Sequence, residues 1–206
     1  RLARHSGQPA RMELRAGAWN FWAGAGPKAL RTELGAQSIG IIGHGHIGQA
    51  VADRAVAFGM AVHVANRSPV TSERYTAVYG LDELNNMLGA VDIVVNTLPL
   101  TPSTVSLIDG SAFTAMQRHC VFLNVGRGGV VDEDALYDAL ADKTIGGAII
   151  DTWYSYPTDA STPHRPATRR FEDLPNIVMT PHMSGWTNGT IERRQATIAD
   201  NITCLA

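Results

Sequence analysis

From residue 38 onward, short apolar runs alternate with longer stretches in which apolar residues return every three or four positions. Residues 38–42 (SIGII), 61–65 (AVHVA), 91–97 (VDIVVNT), 120–125 (CVFLNV), 145–150 (IGGAII) and 177–179 are nearly continuous in apolar side chains. Runs of that length without polar alternation predict strands buried on both faces. Residues 75–79 predict a further, weaker strand. Between the strands, residues 47–58, 81–88, 111–116 and 132–141 have helical spacing, with Ser111 and Asp132 placed to cap helix N-termini, and one more helix is expected from Thr187 to the end. Strand, helix, strand in repetition requires parallel pairing through right-handed crossovers. The expected fold class is therefore α/β, an open, doubly wound parallel sheet.

Residues 1–36 break this rhythm: they are rich in Gly and Ala, interrupted by Pro9 and Pro27, and carry Trp19 and Trp22 close together. The pattern predicts three parts. Residues 1–36 are a linker or remnant of a neighbouring domain, whose two tryptophans are expected to pack against a domain or subunit as a dimer arm, with an exposed binding patch as the alternative; 37–186 form the main domain; 187–206 form a terminal helix.

Composition narrows the function classes. A net charge of −2 with 17% charged residues provides no basic field for nucleic acid and no polybasic patch for a membrane, and no run of about 18 apolar residues is present to cross one. Cys120 and Cys204 match no metal or redox spacing, nor do the histidines, so no metal is expected; two buried free thiols in a reducing, cytoplasmic setting are. The sequons at Asn188 and Asn201 are read as coincidental. The chain begins at Arg1, which suggests a fragment or a trimmed chain.

Candidate chemistry begins directly after the first strand, at Gly43-His-Gly45-His46-Ile47-Gly48. In a strand–turn–helix context Gly43 permits the tight turn, Gly45 lets the backbone approach a pyrophosphate, and Gly48 lets helix and strand pack closely. The helix N-terminus then presents N–H groups to the phosphates. A Rossmann-type dinucleotide site follows. His44 and His46 are expected to contribute backbone rather than imidazole. Where NAD-binding versions end the second strand in an acid that repels a 2′-phosphate, this chain has Asn66-Arg67-Ser68. The acid is absent and Arg67 can meet a phosphate with a charge-assisted contact, unless it is simply a solvated surface charge. NADP(H) is the preferred cofactor, with NAD(H) as the alternative.

Five segments together, GHGHIGQAVADRAVAFGM, NTLPLTPST (96–104), FLNVGRGGVVDEDAL (122–136), GGAIIDTW (146–153) and MTPHMSGW (179–186), resemble the D-isomer-specific 2-hydroxyacid dehydrogenases, in order and at fitting separations. The resemblance spans residues 36–203. It implies that His46 and Ile47 lie against the cofactor pyrophosphate and Asn66, Arg67 and Ser68 at the adenosine ribose. Leu98, Pro99 and Thr104 would line the cofactor; Val125, Gly126, Arg127, His182 and Gly185 would border the nicotinamide, and Asp151 would bind its carboxamide. Arg127 would hold the substrate carboxylate and His182 would exchange the proton. The chemistry agrees, because reducing a 2-oxo acid requires a fixed cation and a group that titrates near neutral pH. Against these stand two plainer readings: Arg127 as an arginine capping its own glycine-rich turn, and His182 as a satisfied buried histidine.

Two departures from the family pattern follow. Family members place an acid five positions after the residue matching Asp151, where it bonds the catalytic histidine; here that position is Tyr156. A phenol can orient the ring without adding charge, so a lower working pH for ketone reduction is expected, and Tyr156 joins Arg127 and His182 as a catalytic candidate. The second departure is length, since only about 36 residues precede the dinucleotide domain where relatives carry most of a substrate domain. The expected activity is hydride transfer between NADP(H) and a small 2-hydroxy or 2-oxo acid by a homodimer. Its alternatives are a nucleotide-binding domain without turnover and a corepressor-like interaction module.

Overall fold

The computed structural model describes residues 15–19, 32–159 and 163–205. Seven strands form one sheet: β1 (Ser38–Ile42), β2 (Ala61–Ala65), β3 (Ala77–Tyr79), β4 (Ile93–Asn96), β5 (Val121–Asn124), β6 (Gly147–Ile150) and β7 (Ile177–Met179). Every pairing is parallel and the order is β3-β2-β1-β4-β5-β6-β7. The helices are α1 (His46–Ala57), α2 (Leu84–Gly89), α3 (Gly110–Ala115), α4 (Glu133–Ala141) and α5 (Asn188–Leu205). From β1 the chain runs outward through β2 and β3, then returns to the other side of β1 as β4. The loops leaving β1 and β4 therefore diverge, and open parallel sheets bind their ligands in that crevice.

Period-two alternation sorts the strand side chains into two cores. Ile39 and Ile41 of β1, Val62 and Val64 of β2 and Val95 of β4 pack with Ala52 and Ala55 of α1. Ile42, Val94, Phe122, Ala148 and Ile150 point the other way, into a larger core with Leu88, Phe113, Leu136 and Leu140 from α2, α3 and α4. Burial on both faces explains why β1, β2, β4, β5 and β6 read as continuous apolar runs; β7, expected to be buried likewise, is an edge strand with Val178 exposed.

Two expectations require correction. Asp109, not Ser111, caps α3: its carboxylate accepts from the Ser111 and Ala112 N–H groups while its own backbone stays extended at φ −103, ψ −169. Asp132 does cap α4, accepting from Ala135 N–H at 2.9 Å. Of the two thiols only Cys120 is buried, which pushes it up to about 12; Cys204 is exposed on α5. Trp19 is 71% exposed, whereas Pro9, Trp22 and Pro27 lie outside the described residues. No described helix is long and apolar enough to cross a membrane.

Candidate active site

The turn after β1 is shaped by two glycines that leave no room for a side chain. Gly43 has φ +94, and a Cβ there would sit 2.9 Å from Thr97 Oγ1; both the angle and the neighbour exclude a side chain. A Cβ at Gly48 would lie 2.1 Å from the Gly43 carbonyl oxygen, so α1 can approach the turn only with glycine there. Gly45 differs, because nothing lies within 4 Å of where its Cβ would be. Its bare backbone faces open space at the N-cap of α1, and no side chain caps the first N–H groups of that helix. An open backbone beside uncapped donors fits a dinucleotide pyrophosphate.

His44, expected to be incidental, is built into the loop. Its N–H donates to Asn66 Oδ1 at 3.2 Å and its Nε2 lies 2.8 Å from the Tyr75 hydroxyl, ring edge to ring face. Asn66 in turn donates to the Ser68 carbonyl at 2.9 Å, so its amide joins the loops after β1 and β2. Arg67 is exposed and lines, with Gly43, Gly45, Leu98, Pro99 and Thr104, a cavity of about 220 Å³. Ser68 is exposed beside it but not in that lining.

Two buried asparagines that the sequence reading passed over brace the far side. Asn96 ends β4 and Asn124 ends β5; Asn96 Nδ2 donates to Asn124 Oδ1 at 2.9 Å. Asn96 Oδ1 accepts from Leu98 N–H and Asn124 Oδ1 from Gly126 N–H. Buried amides so fully engaged rigidify what they touch, here the two loops carrying Leu98 and Val125–Arg127. The available signal was an amide closing each of two apolar strands. Thr104, also buried, donates to the Pro99 carbonyl at 2.7 Å and holds the same loop.

At the end of β6 lies Asp151, 3% exposed. Its Oδ1 accepts from Thr180 Oγ1 at 2.5 Å and Met183 N–H at 3.0 Å; its Oδ2 accepts from Ser184 N–H at 3.1 Å and from the Ser184 hydroxyl. These four bonds occupy the acceptor sites of a carboxylate, so in this conformation no lone pair remains for a cofactor carboxamide. They clasp both sides of His182, whose backbone is held at φ +55. Burial alone would raise the Asp151 carboxyl, but the Ser184 and Thr180 hydroxyls and two N–H groups more than offset it and bring it down to about 2.

A depressed carboxyl contributes stability that is present above its unfolded value and lost as pH falls through the folded one. From the ordinary 3.8 to about 2, that contribution is worth about 2 kcal/mol. Asp151→Asn is expected to be less stable at neutral pH and to show a flatter loss of stability between pH values of about 4 and 2. Urea midpoints across that range test it; parallel curves for both proteins would show that Asp151 is not the group responsible.

His182 is exposed rather than buried, which removes the plainer reading of it. Its Nδ1 lies 2.9 Å from the Tyr156 hydroxyl, which also accepts from Trp153 N–H at 3.1 Å. The Trp153 indole donates to the Thr180 carbonyl at 2.8 Å, tying this segment to the strand that leads into the turn. Arg127 and His182 line one cavity of about 930 Å³, together with Ile47, Val125 and Gly185. Arg127 is exposed and donates to the Gly126 carbonyl at 2.7 Å. The capping reading of Arg127 is thus partly right, yet one such bond leaves most of its five donors. Of the expected site residues, then, Gly43, Gly45, Asn66, Arg67, Leu98, Pro99 and Thr104 border one cavity and Ile47, Val125, Arg127, His182 and Gly185 another, while His46, Gly48 and Gly126 line neither.

Comparison with known proteins gives concordant matches. The family model for the D-isomer specific 2-hydroxyacid dehydrogenase, NAD binding domain, matches residues 1–184. The chain is 35% identical over 192 residues to glyoxylate/hydroxypyruvate reductase B of Pectobacterium atrosepticum, covering 92% of this chain and 57% of that protein. It is 33% identical over 170 residues to glycerate dehydrogenase of Methylorubrum extorquens, covering 82% of this chain and 50% of the relative. The NADPH-dependent glyoxylate/hydroxypyruvate reductase from Sinorhizobium meliloti, solved with NADP and sulfate, superposes with a TM-score of 0.78 at 26% identity, over 98% of this chain and 60% of that one. The chain thus spans about half the length of the curated relatives it matches.

Proposed function

Because the chain belongs to the D-isomer-specific 2-hydroxyacid dehydrogenases, through their NAD-binding domain, we propose that it is the coenzyme-binding part of an NADP(H)-preferring reductase of small 2-oxo acids, with NAD(H) the weaker cofactor. The observation that carries the reading is the shared cavity of Arg127 and His182, at the carboxyl ends of parallel strands and beside the first turn of α1. Residues 37–186 are read as the dinucleotide-binding unit. NADP(H), when bound there, would supply hydride for the substrate's C2. Arg127 pairs its planar donors with the carboxylate and polarises the 2-oxo group, and His182 provides the proton. Asp151 acts through the turn that carries His182, and Tyr156 orients its ring.

Cofactor choice rests on Arg67, which has no ion-pair partner among the described residues and borders the phosphate-loop cavity. NADPH is expected to bind more tightly than NADH, and Arg67→Ala to lose about tenfold in NADPH affinity with NADH nearly unchanged. Fluorescence titration of both cofactors tests this; equal losses for the two would remove the 2′-phosphate from the reading. NADPH consumption with glyoxylate, hydroxypyruvate or pyruvate then tests the reductase itself.

A second reading, nucleotide binding without turnover by this stretch alone, is favoured by the exposure of α5, where Ile198 and Ile202 stand 51% and 65% exposed and Ile198 lines the Arg127 cavity. Tight NADPH binding with no consumption would select it. A homodimer in the cytoplasm completes the proposal, with the exposed Trp19 near its interface. Sedimentation of the same sample as a single monomeric species would remove the dimer.

A further inference from the structure

Tyr156 stands between a nitrogen that can only donate and one that can accept. The Trp153 N–H donates to the phenol oxygen across 3.1 Å, and His182 Nδ1 lies 2.9 Å from that oxygen. Among the described residues these are the two partners of the phenol oxygen. The phenol's own proton therefore has one protein acceptor there, the Nδ1 lone pair. Donation in that sense leaves the proton of a neutral imidazole on Nε2. A carboxylate in the same place would act in the opposite sense: it accepts only, draws the ring proton onto Nδ1 and stabilises imidazolium.

Building on the reductase reading, we infer that Tyr156 is a proton relay as well as a positioning residue, so that the proton reaching the substrate oxygen through His182 is replaced from the Tyr156 hydroxyl. As hydride addition at C2 leaves charge on the 2-oxo oxygen, the Nε2–H bond breaks and an O–H bond forms on the substrate. The Tyr156 O–H bond breaks in the same passage and an N–H bond forms at Nδ1. The imidazole stays neutral throughout, and the negative charge moves from the substrate alkoxide to the phenolate. A phenol is a far stronger acid than an aliphatic alcohol, so the transfer runs downhill. The Trp153 N–H, already aimed at the phenol oxygen, stabilises the phenolate.

The surroundings give the spent phenolate a route to water. Tyr156 is 45% exposed and lines a cavity of about 590 Å³ with Trp153, Ser155, His164 and His182. His182 is the one lining residue that this cavity shares with the Arg127 cavity. Substrate can thus occupy one side of the ring while protons enter on the other. Among the described residues the charged and titratable groups about the pair are Asp151 under the turn, Arg127 and Arg194 in the substrate-side cavity, and His164 in the other. His164 is engaged by Ser155 at 2.8 Å.

A donor that need not be imidazolium changes the expected pH dependence: reduction persists to higher pH than a neutral orienting partner alone would allow. The test joins nitrogen-15 NMR of the His182 ring to kinetics of NADPH consumption with a 2-oxo acid, in wild type, Tyr156→Phe and Tyr156→Glu. The neutral wild-type ring is expected to carry its proton on Nε2, with Nδ1 shifted by an accepted hydrogen bond. Tyr156→Phe should return Nδ1 to the position of a free lone pair, and Tyr156→Glu should move the proton to Nδ1. In kinetics, Tyr156→Phe should lose roughly 10²-fold in kcat on the alkaline side and far less on the acid side, and its solvent isotope dependence should straighten from a two-proton curve to a one-proton line. A wild-type proton on Nδ1, an Nδ1 resonance unchanged in Tyr156→Phe, or an unchanged pH profile would overturn the relay alone. Absence of any 2-oxo acid turnover by wild type would overturn the reductase reading, and the relay with it.

Discussion

Gly48→Ala is expected to lose stability and nucleotide binding together, while Gly45→Ala loses binding and keeps stability. The added methyl at Gly48 would meet the Gly43 carbonyl oxygen at 2.1 Å, a contact with backbone that no rotamer change can relieve. Relief requires α1 to move off β1, and overpacking of that kind costs about 1–3 kcal/mol. The same movement displaces the uncapped N–H groups, so NADPH affinity is expected to fall by about 10²-fold. At Gly45 the methyl would enter open space from an ordinary extended backbone, φ −78, ψ −169. It costs the fold little and obstructs the approach of a phosphate. Thermal denaturation and NADPH titration of both variants separate the two effects. Equal stability losses would show that the turn tolerates neither side chain and that the distinction between its glycines is mistaken.

His182→Asn is expected to lower kcat for 2-oxo acid reduction by roughly 10²–10⁴-fold, with NADPH affinity within a few-fold of wild type. Asparagine is the informative replacement because His182 sits at φ +55, a region asparagine enters readily and alanine does not. The clasp from Asp151 to Met183 and Ser184 can then persist, and the loss reports the missing ring rather than a disordered turn. Steady-state kinetics with saturating NADPH tests it. A loss below about tenfold would assign proton delivery to another group.

The fold was legible because a parallel sheet covered on both faces leaves its strands as unbroken apolar runs, and six of the seven were located that way, β3 being read only as a weaker strand at residues 75–79. Their edges were less legible: Ile145 belongs to the buried core, yet β6 starts only at Gly147. Apolarity records burial, not hydrogen-bond pairing. Asp109 was overlooked as a cap because a capping residue is defined by where the backbone leaves helical angles, which side-chain type alone does not reveal. Arg67, Arg127 and His182 were legible as candidates because each follows the end of a predicted strand.

What composition, spacing and resemblance determined was the kind of chemistry: a glycine turn opening a helix, a cation where an acid would repel a 2′-phosphate, and an arginine with a histidine after parallel strands. What only the tertiary structure decided was which groups engage one another. Asp151 lies 29 to 33 positions before the groups it holds, so no local pattern could show that its carboxylate is fully taken up by the turn of His182. Asn96 and Asn124 meet across neighbouring strands, and His44 finds Tyr75 across 31 positions. Tyr156 could be recognised in the chain as a neutral residue where an acid was due. Its hydrogen bond with His182 Nδ1, and the Trp153 N–H that donates to the same oxygen, exist only in the folded chain. Three groups meet at that oxygen, and only the folded chain brings them there.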